Sequence, residues 1–96
     1  MEFEYDSRKS EINRQKHGIS LEEAKALWVV PGVVIKARTT DEVRFLRIGK
    51  LGDRFYSCIY TVRGDILRLI SARRSRVEEE KIYRGEKVDE EKPEEN

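Results

Sequence analysis

Between residues 33 and 74, four runs rich in Val, Ile, Leu, Phe and Tyr are separated by turns of a few residues. That spacing constrains the fold more than any other feature of the chain. The runs are Val33 to Arg38, Val43 to Lys50, Arg54 to Val62 and Ile66 to Arg74. They are joined at Thr39-Thr40-Asp41-Glu42, Leu51-Gly52-Asp53 and Arg63-Gly64-Asp65. A parallel pair needs a crossover of roughly a dozen residues or more, so these connections oblige successive strands to lie antiparallel. In the second run the apolar positions change parity between Phe45 and Leu46, which predicts either a bulge or burial on both faces.

Helical signals flank this region. Phe3 and Tyr5 alternate with Glu2 and Glu4 as a brief strand. Asp6 or Ser7 then caps a polar helix to about His17, and Gly18 ends it. Ile12 is the only aliphatic residue within that helix, so its apolar stripe is thin. Ser20-Leu21-Glu22-Glu23 is a capping box, and Leu21, Ala24, Leu27 and Trp28 follow at helical spacing until Pro31-Gly32. A second box, Ser75-Arg76-Val77-Glu78, opens a helix to about Arg84, where Glu80 and Arg84 form an i,i+4 pair before Gly85. The expected fold is α+β: a small antiparallel sheet of about four strands with two N-terminal helices and one C-terminal helix. Residues 1–85 form one domain, and residues 86–96 are an acidic tail expected to be disordered.

Charge narrows the function. The formal net charge is +1, but residues 44–76 hold nine Lys and Arg against Asp53 and Asp65, while residues 85–96 carry −4. The sheet region is therefore basic and suited to nucleic acid or an acidic protein. Cys58 is the only cysteine and His17 the only histidine, so a disulfide, a cysteine-based zinc site and an ordinary Ser/His/Asp triad have no support. The longest apolar run is Ala26 to Val30, which gives no secretory or membrane signal and points to a reducing cytoplasm.

The last run and its sequel carry Arg68, Arg73, Arg74 and Arg76. Guanidinium groups fit phosphate in a fork of donors, so RNA or DNA is the first partner to consider; salt bridges to Glu78-Glu79-Glu80 are the alternative. Simple alternation places Ile66, Arg68, Ile70, Ala72 and Arg74 on one face, with Leu67, Leu69, Ser71 and Arg73 on the other. Arg44 and Arg47 fall on opposite faces of their own strand.

An ordered set of short motifs resembles the BrnT family of type II toxin–antitoxin systems. The set comprises Phe3-Glu4-Tyr5-Asp6, Asn13 to Gly18, Ser20 to Ala24, Arg47-Ile48-Gly49, Arg63-Gly64-Asp65, Arg68 to Arg74, and Tyr83. It spans about residues 2–84. The resemblance implies a RelE-like ribonuclease fold and an endoribonuclease that cuts RNA, such as mRNA, without a metal or other cofactor. It also implies a BrnA-like ribbon-helix-helix antitoxin that assembles with the toxin 2:2 and binds operator DNA. In such chemistry the RNA's own 2′-hydroxyl attacks, so the protein supplies cations and proton carriers. The expected roles follow: Arg68 with Arg73 or Arg74 on the scissile phosphate; Lys16, His17, Tyr60 or Tyr83 for protons; Arg44, Arg47 and Arg76 for RNA binding. Tyr60 stands near a position where the family often has histidine. Two other classes remain open on the residues alone: a non-catalytic nucleic-acid or ribosome-binding module, and a protein that only binds an acidic partner.

Overall fold

The computed structural model describes residues 1–37 and 41–86. The elements run β1 (Glu2–Glu4), α1 (Ser7–His17), α2 (Leu21–Ala24) continuing as a 3₁₀ turn over Lys25–Trp28, β2 (Gly32–Ala37), β3 (Arg44–Leu51), β4 (Arg54–Arg63), β5 (Ile66–Arg74) and α3 (Val77–Tyr83). The fold is α+β, as the sequence predicts. The sheet has five strands rather than four, in the order β1-β5-β4-β3-β2, and it is mixed: β1 pairs parallel with β5, Phe3 opposite Leu67. No direct crossover is needed there, because the whole antiparallel meander separates the two strands in sequence. The expected turn at residues 39–42 falls partly outside the described residues, and the acidic tail lies outside them from residue 87.

The strand parity of β5 departs from simple alternation. Opposite the consecutive residues Ile59 and Tyr60 of β4 stand Ser71 and Leu69, so Ile70 is an extra residue in a bulge. Directly opposed residues share a face. Arg68, Ser71 and Arg73 therefore join Thr61, Ile59 and Ser57 on one side, while Leu67, Leu69, Ala72 and Arg74 join Val62, Tyr60, Cys58 and Tyr56 on the other. In β3 the register is regular, and its parity change reflects burial on both faces: Phe45 packs against the core while Leu46 and Ile48 are buried on the opposite side.

The core lies on the α1/α2 face, where Leu21, Ala24 and Leu27 meet Cys58, Tyr60, Leu69 and Ala72. Phe3, Trp28, Tyr60 and Phe45 form a chain of ring contacts there, with centroids 5.1–5.6 Å apart. Helix α1 is fastened by polar groups instead of an apolar stripe, and its Ile12 is exposed. Ser10 Oγ accepts from the Leu21 and Glu22 amides at the start of α2. Asn13 does more. Its Nδ2 donates to the carbonyls of Ile19 (2.8 Å) and Ala72 (2.7 Å), and its Oδ1 accepts from the Ala72 amide (3.3 Å). β1 pairs with β5 only as far as Arg68, so the side-chain amide of Asn13 covers the backbone edge that β1 leaves open.

Both ends of α1 obey the sequence. Asp6 Oδ1 accepts from the Arg8 and Lys9 amides, and Gly18, at φ 77°, returns its N–H to the Arg14 carbonyl. The Ser20/Glu23 box is complete in both directions, at 2.8 and 2.9 Å. The start of α3 is one residue later than the sequence predicts. Arg76 is its cap, and Glu79, not Glu78, reaches back to the cap amide at 2.9 Å. That cap is one-sided, because arginine has no acceptor to return. α3 lies on the face opposite α1 and closes in a Schellman arrangement, with Glu86 N–H to the Lys81 carbonyl and Gly85 N–H to the Ile82 carbonyl.

Candidate functional site

The arginines divide into those neutralised by the fold and those it leaves open. Arg68 pairs with Glu4 at 2.7 Å, and Arg63 reaches the same carboxylate at 3.7 Å. Arg44 pairs with Glu42 at 3.2 Å. Arg73 grips Glu79 through two parallel bonds of 2.8 and 2.9 Å, and both side chains are largely buried. Arg47 donates to the carbonyls of Leu27 (2.8 Å) and Val30 (3.1 Å), and its guanidinium lies over Trp28. It also lies flat on Gly32, where a Cβ would come within 2.7 Å of it. Arg47 thus holds the carbonyls at the end of the 3₁₀ turn in place and fixes that segment on the sheet.

Among the described residues, Arg8, Lys9, Lys16, His17, Lys36, Lys50, Arg54, Arg74, Arg76 and Lys81 have no carboxylate partner. Arg74 is exposed and stands opposite Tyr56; Arg54 and Lys50 flank the turn beside them. Arg76 follows at the α3 cap. Four of these cations therefore collect at one end of the sheet, whereas Arg44, Arg63 and Arg68 near the other end are neutralised. Helix α1 advances in the direction of β5: Glu4 is level with Arg68, and Asn13 with Ala72. One further turn carries Lys16 and His17 toward the end of β5, where Arg74 emerges on the same face.

The residues expected on the scissile phosphate, Arg68 with Arg73 or Arg74, are spread over the two faces of β5. The bulge puts Arg68 and Arg73 on one face and Arg74 on the other. The β4 partners of Arg68 and Arg73 are four residues apart, about 13 Å at ~3.3 Å per strand residue. The tyrosines are also separated. Tyr60 is 6% exposed between Trp28 and Phe45, and burial raises its phenol pKa although the charge of Arg47 pulls the other way. Tyr83 lies on α3, its hydroxyl 3.5 Å from the Pro31 carbonyl and its ring edge-on to Phe55.

Tyr56 and Arg54 belong to the open end, and the sequence signal for them is the Arg63-Gly64-Asp65 turn: pairing of β4 with β5 back from it sets Tyr56 beside the close of β5. Of the carboxylates that matter most, Glu4 has no such signal, since it acts across the tertiary structure, whereas Glu79 belongs to the Glu78-Glu79-Glu80 run that the sequence offers as the arginines' alternative partner. Burial alone would push the Glu79 carboxyl up, but Arg73, the Arg76 amide and the Ser57 hydroxyl together hold it below its ordinary range. Cys58 is fully buried with its thiol pushed up to about 12, so it is protonated at neutral pH and a poor nucleophile. Among the described residues no group of three or more His, Cys, Asp or Glu side chains converges as metal ligands would, and no helix is long and apolar enough to cross a membrane.

The arrangement can hold an anion at the end of a sheet, with a phenol, an imidazole and an ammonium group carried by the adjoining elements. In comparisons with known proteins, a family model described as the ribonuclease toxin BrnT of type II toxin–antitoxin systems matches residues 5–79. No curated protein matches the chain.

Proposed function

The chain belongs to the BrnT family of ribonuclease toxins of type II toxin–antitoxin systems, and from that premise we propose that it cleaves RNA at the open end of β5 without a metal ion. The observation that carries this reading is Arg74, an exposed guanidinium with no carboxylate partner among the described residues, opposite Tyr56 and on the face of α1. The attacking group is the RNA's 2′-hydroxyl. Arg74 binds the scissile phosphate and holds the negative charge that develops as the 2′-oxygen closes on phosphorus and the bond from phosphorus to the departing 5′-oxygen breaks, the step at which preorganised cations contribute most. His17 and Lys16 are the proton carriers of this reading, with Tyr56 as a third polar group at the phosphate. Arg54 and Arg76 extend the phosphate contacts along the backbone.

Arg68 is a subsidiary contact, available when an RNA phosphate displaces the partly exposed Glu4. Arg73 acts through Glu79 to hold α3, and Tyr60 through packing. Arg44 and Arg47 take the same structural part, at the Glu42 pair and under the 3₁₀ turn.

Purified protein incubated with RNA in excess EDTA is expected to leave 2′,3′-cyclic phosphate ends. Arg74→Ala is expected to lower the cleavage rate about 10²–10³-fold, the usual loss for one charge-stabilising group, with the circular dichroism spectrum unchanged. Full cleavage by Arg74→Ala removes this site. A salt-sensitive complex with no cleaved product replaces the enzyme reading with a binding module.

A type II toxin has an antitoxin partner. We propose that this one is a BrnA-like ribbon-helix-helix protein, that it blocks the open end of β5, and that the complex is 2:2 and binds operator DNA through the antitoxin. Growth arrest on expression, relieved by the neighbouring gene, and the mass of the purified complex test this directly.

A further inference from the structure

The strongest feature outside the proposed cleavage site is Phe55, the second residue of β4, on the face opposite Tyr56. Its ring does not belong to the core and is half-buried. Lys50, its direct partner on β3, holds Nζ 5.7 Å from the ring centroid, and the Arg84 guanidinium stands 5.1 Å from the same centroid. The Tyr83 ring meets it edge-on at 5.1 Å. Lys50 has no carboxylate partner among the described residues, and Arg84 has only Glu80 at 3.5 Å, with about half of its side chain exposed.

We propose that Phe55 is a base-stacking platform for single-stranded RNA, with Lys50 and Arg84 moving off the ring to contact the flanking phosphates. The proposal rests on the RNA-cleaving reading above and adds a second, non-catalytic contact to it. An acidic peptide needs only the cations. A nucleotide uses both parts of the patch, because every base has a π-face and every link a phosphate. Among the described residues, Lys50 and Arg84 are the cations over the ring that must give way, and each gains a phosphate when it leaves. Position favours the same strand of RNA. Tyr56 faces Arg74, and the carbonyl of Phe55 accepts the Ser75 amide at 2.9 Å, so Phe55 lies one residue from the cleavage end on the reverse side. RNA held at Arg74 passes round the end of β4 and β5 to reach it.

The test is binding of full-length protein to a short single-stranded RNA with 2′-O-methyl groups, which cannot be cut, and carrying one photoreactive 4-thiouridine. The wild type is expected to bind and to crosslink at Phe55 or Tyr83. Phe55→Leu keeps an apolar contact for α3 and is expected to weaken binding about 5- to 100-fold, with Phe55→Trp restoring it. Lys50→Ala is expected to flatten the salt dependence of binding by about 0.7 in the log–log slope. A folded Phe55→Leu protein with wild-type affinity and an unchanged crosslink overturns the platform, even where the wild type cuts unmodified RNA normally. The same holds if Phe55→Leu loses only inhibition by the antitoxin. Failure of the wild type to bind or cut any RNA overturns the cleavage reading and the platform together.

Discussion

Glu79 shows how a single carboxylate changes the meaning of the basic residues around it. It accepts from Arg73, from the Arg76 amide and from Ser57, whose hydroxyl also meets Ser75 at 2.7 Å. Removing one partner of such a buried pair leaves an uncompensated charge and costs about 3–5 kcal/mol, a large share of the roughly 5–15 kcal/mol that holds a domain of this size. Because the folded-state pKa is depressed, this stabilisation is present above the ordinary glutamate value of 4.5 and is lost as pH falls through the lower folded value. Urea unfolding measured from neutral pH down to pH 3 is expected to show that loss in the wild type, with a shallower dependence in Glu79→Gln. Equal slopes in the two proteins would discard the account. Tyr60 makes the complementary case. Tyr60→Phe is expected to keep the cleavage rate within a few-fold, and Tyr60→Ala to lower stability by about 3–5 kcal/mol through the cavity it leaves. A large rate loss in a normally stable Tyr60→Phe protein restores the phenol to the chemistry.

At the scale of elements, α1 is fastened mainly through two side chains, Ser10 to the start of α2 and Asn13 to β5, and not through an apolar face. The amide of Asn13 uses both of its N–H groups and its oxygen on buried backbone. Asn13→Ala strands those groups and is expected to cost at least about 2 kcal/mol, given about 1–3 kcal/mol for each buried polar group left unpaired. Hydrogen exchange at the Ala72 amide reads the same event locally. Faster exchange there, with β3 unaffected, marks the opening of the β5 edge; an unchanged rate means that α1 is held by other contacts. The consequence for function follows from continuity, since α1 also carries Lys16 and His17. Loosening its attachment moves two of the proposed proton carriers away from Arg74.

For the whole molecule, the relevant electrostatic quantity is where unpaired charge accumulates, because the net charge of +1 is nearly neutral. Among the described residues, four cations without a carboxylate partner, Lys50, Arg54, Arg74 and Arg76, lie at the end of β5, while the segment from residue 85 to the C-terminus carries −4. A truncation ending at Glu86 removes most of that negative charge. It is expected to raise RNA affinity in low salt and to converge with the full chain near 1 M salt, where the screening length is about 3 Å. Identical affinities at low salt show that the tail's charge does not reach the site.

The local grammar of this chain was written in its residues. The short turns required the antiparallel meander, Gly18 the end of α1, and Ser20 with Glu23 the start of α2, because each depends on backbone geometry within a few positions. The basic character of the sheet region was equally plain in the sequence. Arg44 and Arg73 find carboxylates two and six residues away in the chain, but which of the other arginines remain available was decided by tertiary contacts. Glu4 and Arg68 are 64 residues apart in the chain, and the Ile70 bulge that divides Arg73 from Arg74 exists only through pairing with β4. A guanidinium looks the same in a sequence whether it meets a carboxylate or solvent. Long-range packing makes that choice here, and with it the choice of which end of the sheet can receive a phosphate.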